Sequence, residues 1–466
     1  MNTNLMGIGE LSSLLGARRI SFLPDGDFVN FSSVAIDSRN VKDGALFFAL
    51  SGSVSDGHNF VSAAFFAGAI CAVVESSKLE SFDLVSNAKK TGKDLIVVEN
   101  TMKSLQDSAK IYLKKFPQIK KIGITGSSGK TTTKEITAAI VSCEKNTVMS
   151  KGNLNSETGL PLSVFEVRAE HEVCIFELGM NKAGEISGSA DVLKPNIALV
   201  TNIGSAHIGN FGSKEKIVKQ KKCIFQFLDN NDTALIPAND EYAQALAEGV
   251  SGNVKFYGAF EELESTRSLG LDGTEITWAG EKIHFSLPGK HCLDDALAAI
   301  AIAKEIPVSN KAIKQGLESV KPLFGRLEIL KGRTTVIFDC YNANPESMAK
   351  SIEFCDSIEW EGRKIYVTGN MLELGDSSNA EHKKLGGILA LSNAEKVFLF
   401  GSEMETAVSA LNGKQHFYTN NIDILSTALD FYVQPGDLVL LKGSRGCALE
   451  RLVDMLTDSI GGVDVS

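Results

Sequence analysis

Apolar residues in this chain fall into short runs separated by stretches with helical spacing. In the first hundred residues the runs Val34–Ile36, Ala45–Ala49, Ala72–Val74 and Leu95–Val98 predict strands, and Phe60–Ala69 predicts one helix. A helical stretch from Ser104 leads to an apolar strand at Ile122–Ile124, after which Ile136, Ala139 and Ile140 mark the face of a following helix. Further strands at Val173–Phe176, Ile197–Thr201 and Ala234–Pro237 alternate with helical segments. Such alternation predicts a doubly wound, mostly parallel sheet with ligands at the carboxyl ends of its strands. Gly270–Leu287 breaks the rhythm with period-two patterning and a hairpin turn at Ala279-Gly280, and a helix from about Asp294 to Lys304 follows. After Arg326 come strands at Val336–Asp339, Lys364–Thr368, Val397–Phe400 and Leu438–Lys442. The expected organisation is therefore three α/β parts, over residues 1–100, 101–325 and 326–466, with no internal repeat or low-complexity tract.

Length agrees with this division, because 466 residues exceed what one core accommodates. A net charge of -10 argues against a nucleic-acid partner, which would need a basic face, so any anion site must be local. The eight cysteines show no C-x-x-C pair and read as reduced packing residues of a cytoplasmic protein. No basic segment followed by a long apolar stretch opens the chain, and no signal peptide is expected. The most apolar window, Ala63–Val74, contains Gly68 and is too short to span a bilayer, so no membrane association is expected.

Chemistry enters between Gly123 and Glu135, where the chain reads Gly-Ile-Thr-Gly-Ser-Ser-Gly-Lys-Thr-Thr-Thr-Lys-Glu. The missing side chains of Gly126 and Gly129 let backbone N–H groups around Ser127 and Ser128 approach phosphate oxygens, and the helix that follows adds positive potential. Lys130 would reach the terminal phosphates of a nucleoside triphosphate, with the Thr131 hydroxyl on magnesium and Thr132 beside it. Small residues before a helix can be a mere turn, but the preceding strand, Lys130 and Thr131 favour a phosphate cradle. Spacing departs from the usual P-loop, because Ile124 stands five residues before Gly129.

Read with further segments, this loop resembles the Mur ligase family over nearly the whole chain. The segments are Phe176-Glu177-Leu178-Gly179, Thr201–His207, Lys221-Lys222-Cys223, Gly289–Leu297, Gly325-Arg326-Leu327-Glu328 and Asp339–Pro345. The resemblance implies an N-terminal domain for a UDP-sugar, a central P-loop ATPase and a C-terminal Rossmann-like domain, closing on hinges near residues 100 and 325. It implies magnesium ligands at Glu177 and His207, and a carbamylated lysine at Lys221, although Cys223 stands where glutamate is expected. It places Arg326 on the terminal phosphate, Asp339 on the ribose with Asn342 adjoining, and His291 and Asp295 in the nucleotide segment. In that segment Cys292 and Asp295 occupy positions where the family carries asparagine, and an ionised aspartate accepts hydrogen bonds but cannot donate.

For substrate, the resemblance implies Ser38 and Arg39, then Asp56 and His58 within Ser51–Phe60, on the uridine and diphosphate, and Asn153 and Asn155 in a substrate-contacting loop. Gly369-Asn370-Met371-Leu372-Glu373-Leu374-Gly375 and Lys442-Gly443-Ser444-Arg445 resemble the dipeptide-adding branch, although Asn370 replaces the usual aspartate. The Asp-Asn-Pro-Arg motif of the diaminopimelate-adding branch is absent. The implied activity is ATP-dependent addition of D-alanyl-D-alanine to UDP-N-acetylmuramoyl-tripeptide through an acyl phosphate, by a monomer whose partners are small molecules. Alternatives are another amide ligase of the superfamily, such as a folylpolyglutamate synthase, or an ATP switch that forms no amide.

Overall fold

Strands buried on both faces need continuous apolar sequence, and Ala-Leu-Phe-Phe at 45–48 and Cys-Ala-Val-Val at 71–74 supply it. They lie in a five-stranded sheet ordered Arg18–Ile20, Asp94–Val98, Cys71–Glu75, Ala45–Phe48, Ser33–Ala35, parallel except for the first, antiparallel pair. The computed structural model describes residues 4–24, 28–52 and 55–458. Ser53 and Val54, inside the expected diphosphate segment, lie outside the described residues. Two compact units emerge, one within Met1–Gly123, Lys145–Met180 and Glu185–Asn196, the other within Ile124–Glu144, Asn181–Gly184 and Ile197–Ser466.

In the first unit, the edge strand Arg18–Ile20 lacks an apolar pattern. An ion pair from Arg19 to the buried Asp94 at 2.6 Å holds it, and the Phe22 and Leu23 N–H groups also donate to Asp94, each at 2.8 Å. The helix expected at Phe60–Ala69 is a 3-10 turn, Gly57–Phe60, running into an α-helix, Val61–Phe66. A second helix, Leu84–Thr91, buries only Leu84 and Ala88 and so carries little periodic signal. The helix Thr101–Leu113 starts where the Asn100 side chain accepts from the Lys103 N–H at 2.8 Å. Strands Thr147–Met149 and Val173–Glu177 pair in parallel. The strand Lys120–Thr125 begins in this unit, and its last two residues belong to the other.

In the second unit the parallel strands Ile197–Val200, Thr233–Pro237 and Asn253–Tyr257 lie beside the loop helix Lys130–Val141 and the helix Lys290–Lys304, which begins four residues before the expected Asp294. The period-two region is a three-stranded antiparallel sheet, Leu263–Ser268, Thr274–Trp278 and Glu281–Phe285. Its second turn is at Ala279-Gly280, with φ of 49° and 79°, the left-handed pair that a two-residue hairpin requires. A third sheet is ordered Glu328–Lys331, Thr335–Asp339, Leu438–Lys442, Lys364–Gly369, Lys396–Phe400, His416–Thr419, parallel apart from its first pair. Its residues alternate between two cores: Ile337, Leu440 and Tyr366 face one, and Val336, Phe338, Val439 and Leu441 the other. No helix among the described residues is long and apolar enough to cross a membrane. All eight cysteines are free; Cys143 is exposed, Cys223 half-buried and the others buried.

Candidate active site

The phosphate loop leaves its strand at Thr125, where the Thr201 N–H donates to the Thr125 carbonyl at 2.8 Å. Gly126 and Gly129 adopt φ of 154° and 77°. A Cβ at Gly126 would stand 1.8 Å from Thr201 Oγ1, and one at Gly129 2.0 Å from Asp295 Oδ1, so only glycine fits either place. Asn202 pins the turn between them: its side-chain oxygen accepts from the Ser128 N–H at 3.1 Å, its amide donates to the Ser128 carbonyl at 3.0 Å, and its backbone carbonyl accepts from the Ser127 N–H at 3.0 Å. Thr201 Oγ1 adds a 2.6 Å bond to the Ser128 carbonyl. Thr201 and Asn202, quoted above within Thr201–His207 but given no role there, thus hold the loop from a strand's carboxyl end.

Two ammonium groups converge on this loop. Lys130 Nζ donates to the Gly126 carbonyl at 2.9 Å, and Lys221 Nζ to the same oxygen at 2.8 Å. Lys221 is only 2% exposed, because it shares a helix face with the buried Ile217 and Val218 rather than with the solvated lysines around it. Thr132 is buried behind the loop, and the Thr131 hydroxyl accepts from Arg326 Nη2 at 3.1 Å. The Arg326 guanidinium lies over the Tyr341 ring, 4.2 Å from its centre, an arrangement that aims a planar cation at the helix start. The arrangement offers positive charge, backbone donors and no room for side chains, which suits a polyphosphate.

Deeper in the same unit, Asp295 is enclosed beside the loop, with Thr133 Oγ1 donating to it at 3.4 Å. Burial pushes its pKa up to about 8, with the charges of Lys350 and Arg326 pulling the other way. Burial likewise pushes His291 down to about 4, leaving it neutral at ordinary pH. Burial also opposes ionisation of Asp339, but the Lys442 ammonium at 2.9 Å and the Ser351 hydroxyl at 2.6 Å hold its carboxyl below the usual range. Lys442 also donates to the Asn342 carbonyl at 2.7 Å. A charged carboxylate is therefore kept at a strand end, where it can accept hydrogen bonds from hydroxyls.

His207 has φ of 61° and Glu373 φ of 66°, both left-handed, and His207 Nδ1 comes within 2.8 Å of Glu373 Oε2, off the axis of a formed hydrogen bond. The His207 contact holds the Glu373 carboxyl below its usual range. Among the described residues no group of three or more His, Cys, Asp or Glu side chains is placed to hold a metal ion. Magnesium bound mainly through phosphates and water needs no such cage. Lys221, as an unmodified amine, donates hydrogen bonds and offers a cation no ligand.

The remaining candidates lie in the first unit. Asn155 Nδ2 donates to the buried Glu177 at 2.7 Å, and Asn155 accepts the Gly179 N–H on its carbonyl at 2.8 Å, while Asn153 is exposed. Asp37 accepts from the Arg39 N–H at 2.9 Å and from its guanidinium at 2.6 Å, across a turn that includes Ser38, and these bonds hold its pKa at about 2. His58 is buried with both ring nitrogens engaged: Nδ1 lies 2.6 Å from Asp56 Oδ1, and Nε2 accepts from the Glu75 N–H at 3.0 Å. That acceptor bond fixes the proton on Nδ1 and makes His58 a support for Asp56. Burial raises the Asp56 pKa, but the His58 and Lys78 bonds overcome it and leave it at about 2.

A glycine loop with convergent cations at the carboxyl end of a parallel sheet, followed by a second parallel sheet carrying a paired carboxylate, defines a nucleotide-binding α/β enzyme class. Three family models match: the Mur ligase family catalytic domain at residues 30–113, the Mur ligase middle domain at 124–303, and the Mur ligase glutamate ligase domain at 325–445. The chain is 40% identical to the UDP-N-acetylmuramoyl-tripeptide--D-alanyl-D-alanine ligase of Treponema pallidum over 91% of this chain and 94% of that protein. It superposes on MurF from Acinetobacter baumannii with a TM-score of 0.87 at 28% identity, covering 98% of this chain and 99% of that one. MurF from Thermotoga maritima, solved in complex with ADP, gives 0.74 at 26% identity over 91% of this chain and 97% of that one. The chain belongs to the Mur ligase family.

Proposed function

We infer that this chain is an ATP-dependent amide ligase that joins D-alanyl-D-alanine to UDP-N-acetylmuramoyl-tripeptide, giving the pentapeptide precursor of peptidoglycan. The observation that carries this reading is the phosphate loop, with Lys130, Lys221 and Arg326 gathered around glycines that admit no side chain. A carboxylate resists nucleophiles and has no usable leaving group. Transfer of the γ-phosphoryl of ATP to the tripeptide carboxylate breaks the terminal phosphoanhydride bond and gives an acyl phosphate and ADP. The dipeptide amine then attacks the acyl carbon, forms the amide, loses a proton and expels phosphate. Such chemistry asks mainly for positioning and charge neutralisation.

Lys130 and Arg326 spread phosphate charge, Asp339 beside Asn342 receives the ribose, and His291 and Asp295 serve the nucleotide. Thr131 keeps the magnesium role that the loop gives it, and Glu177, His207 and a carbamylated Lys221 keep those that the resemblance gives them; the ion would neutralise phosphate oxygens. Ser38, Arg39, Asp56 and His58 serve the UDP group, and Asn153 and Asn155 the remainder of that substrate. Functional divisions at 1–100, 101–325 and 326–466, a monomeric state and a cytoplasmic location belong to the same reading, the last supported by the eight free thiols.

One assay tests it: ATP, magnesium, D-alanyl-D-alanine and the diaminopimelate or lysine form of the UDP-tripeptide in turn, with the product analysed for a new amide. Phosphate release without amide would overturn the reading. Mass analysis at saturating bicarbonate tests the modification of Lys221.

A further inference from the structure

The segment after the strand Ile197–Val200 touches more than the phosphate loop. Beyond Thr201 and Asn202, the Gly204 N–H donates to Ser127 Oγ at 2.8 Å, and the Gly204 carbonyl lies 3.2 Å from the same hydroxyl. The next residue turns the other way: the Ser205 N–H donates to Glu346 Oε1 at 2.8 Å, and Ser205 Oγ to Glu346 Oε2 at 2.7 Å. A Cβ built on Gly204 would lie 3.1 Å from Glu346 Cδ and 3.3 Å from Ser127 Cβ, so loop, segment and carboxylate are in packing contact.

Glu346 is itself held in place. It sits in the first turn of the helix Pro345–Ser357, whose start is a capping box: Asn344 accepts from the Ser347 N–H at 2.8 Å, and Ser347 Oγ accepts from the Asn344 N–H at 3.0 Å. The helix follows the Asp339–Asn342 strand end directly, so Glu346 reports the position of the third sheet. Lys214 Nζ lies 3.7 Å from Glu346 Oε1 and 3.5 Å from Glu241. A carboxylate accepting two donors from one residue is a strong, directional contact.

We propose that Glu346 is a positioning residue that couples the third sheet to the phosphate loop through Ser205 and Gly204, so that filling the loop and seating that sheet are one event. The proposal rests on the ligase reading above and adds to it a residue that touches no substrate.

Three variants test it. Glu346→Ala removes both acceptors. Glu346→Gln keeps one acceptor for the Ser205 N–H and offers its amide to the serine hydroxyl, which can accept. Ser205→Ala removes one of the two bonds with little threat to folding. Amide formation by Glu346→Ala is expected to lose about tenfold in kcat, the scale of a lost charge-assisted bond, with KM for the UDP-tripeptide within about twofold. Glu346→Gln should stay within about threefold of the native rate. Adding Ser205→Ala to Glu346→Ala should cost nothing further.

Hydrogen exchange gives the second readout. In the native protein a non-hydrolysable ATP analogue should protect amides of both the loop helix and Pro345–Ser357, whereas in Glu346→Ala it should protect the loop helix alone. Native-like protection of both helices in Glu346→Ala would overturn the proposal. A Glu346→Gln protein as impaired as Glu346→Ala would also overturn it, because the role would then be charge balance with Lys214. If the native protein forms no amide, the ligase reading fails, while the exchange comparison still judges the coupling.

Discussion

Asp295→Asn isolates the cost of keeping a carboxyl beside the phosphate loop. Burial holds the Asp295 pKa at about 8, against an ordinary 3.8. Because the folded-state value is the higher one, the folded chain keeps a proton that the unfolded chain has lost. The stabilising contribution is complete below about pH 4, is lost progressively as pH rises towards 8, and is constant beyond. At about 1.4 kcal/mol per pH unit, a gap of about four units places the full loss at roughly 5 kcal/mol. Asparagine has the same shape and no charge, so Asp295→Asn should be nearly neutral at pH 4 and several kcal/mol more stable than the native protein at pH 8. Urea unfolding followed by tryptophan fluorescence suits the measurement, since Trp278 and Cys292, on the helix that carries Asp295, belong to one core. The same protonation bears on ATP binding. Below about pH 8 a protonated Asp295 both donates and accepts, as an amide does, so the KM values of variant and native protein should converge there and separate above it. A stability difference and a KM ratio that stay flat from about pH 5 to 9 would refute the argument.

Three other substitutions have definite outcomes. Gly129→Ala places a Cβ 2.0 Å from Asp295 Oδ1 at a φ of 77°, and calorimetry with an ATP analogue should find no binding, with a stability loss of about 2–4 kcal/mol. Arg326→Lys gives up both the stacking on Tyr341 and the bond to Thr131, so ATP turnover should fall by about tenfold while the unfolding midpoint is unchanged. Lys442→Met leaves Asp339 charged and enclosed, which should cost about 3–5 kcal/mol in urea unfolding, and adding Asp339→Asn should recover most of it.

The sheet centres were legible because strands covered on both faces are written in unbroken apolar residues, as at 438–441. Edges were not. Arg18–Ile20, Leu263–Ser268 and Glu328–Lys331 are polar or half-exposed, and backbone pairing to a neighbour holds them where no apolar pattern could announce them. In the site, the glycines and Lys130 stood out because a phosphate cradle constrains backbone and charge locally. Its supports did not, since Thr201 meets Ser128 across 73 residues and Lys442 meets Asn342 across 100. Lys221 stands between these cases. Four other lysines crowd the same short helix, yet the helical spacing from Ile217 and Val218 places it inside.

The distribution of thiols has a practical use. Cys143 is the exposed one, just past the end of the loop helix, and its Sγ donates to the Ala139 carbonyl at 3.3 Å. Partial burial raises its pKa, so alkylation will be slow at neutral pH and quicken in mild alkali. A maleimide dye should therefore settle preferentially there, opposite the nucleotide end of the same helix, and turn the native chain into an optical sensor of ATP arrival.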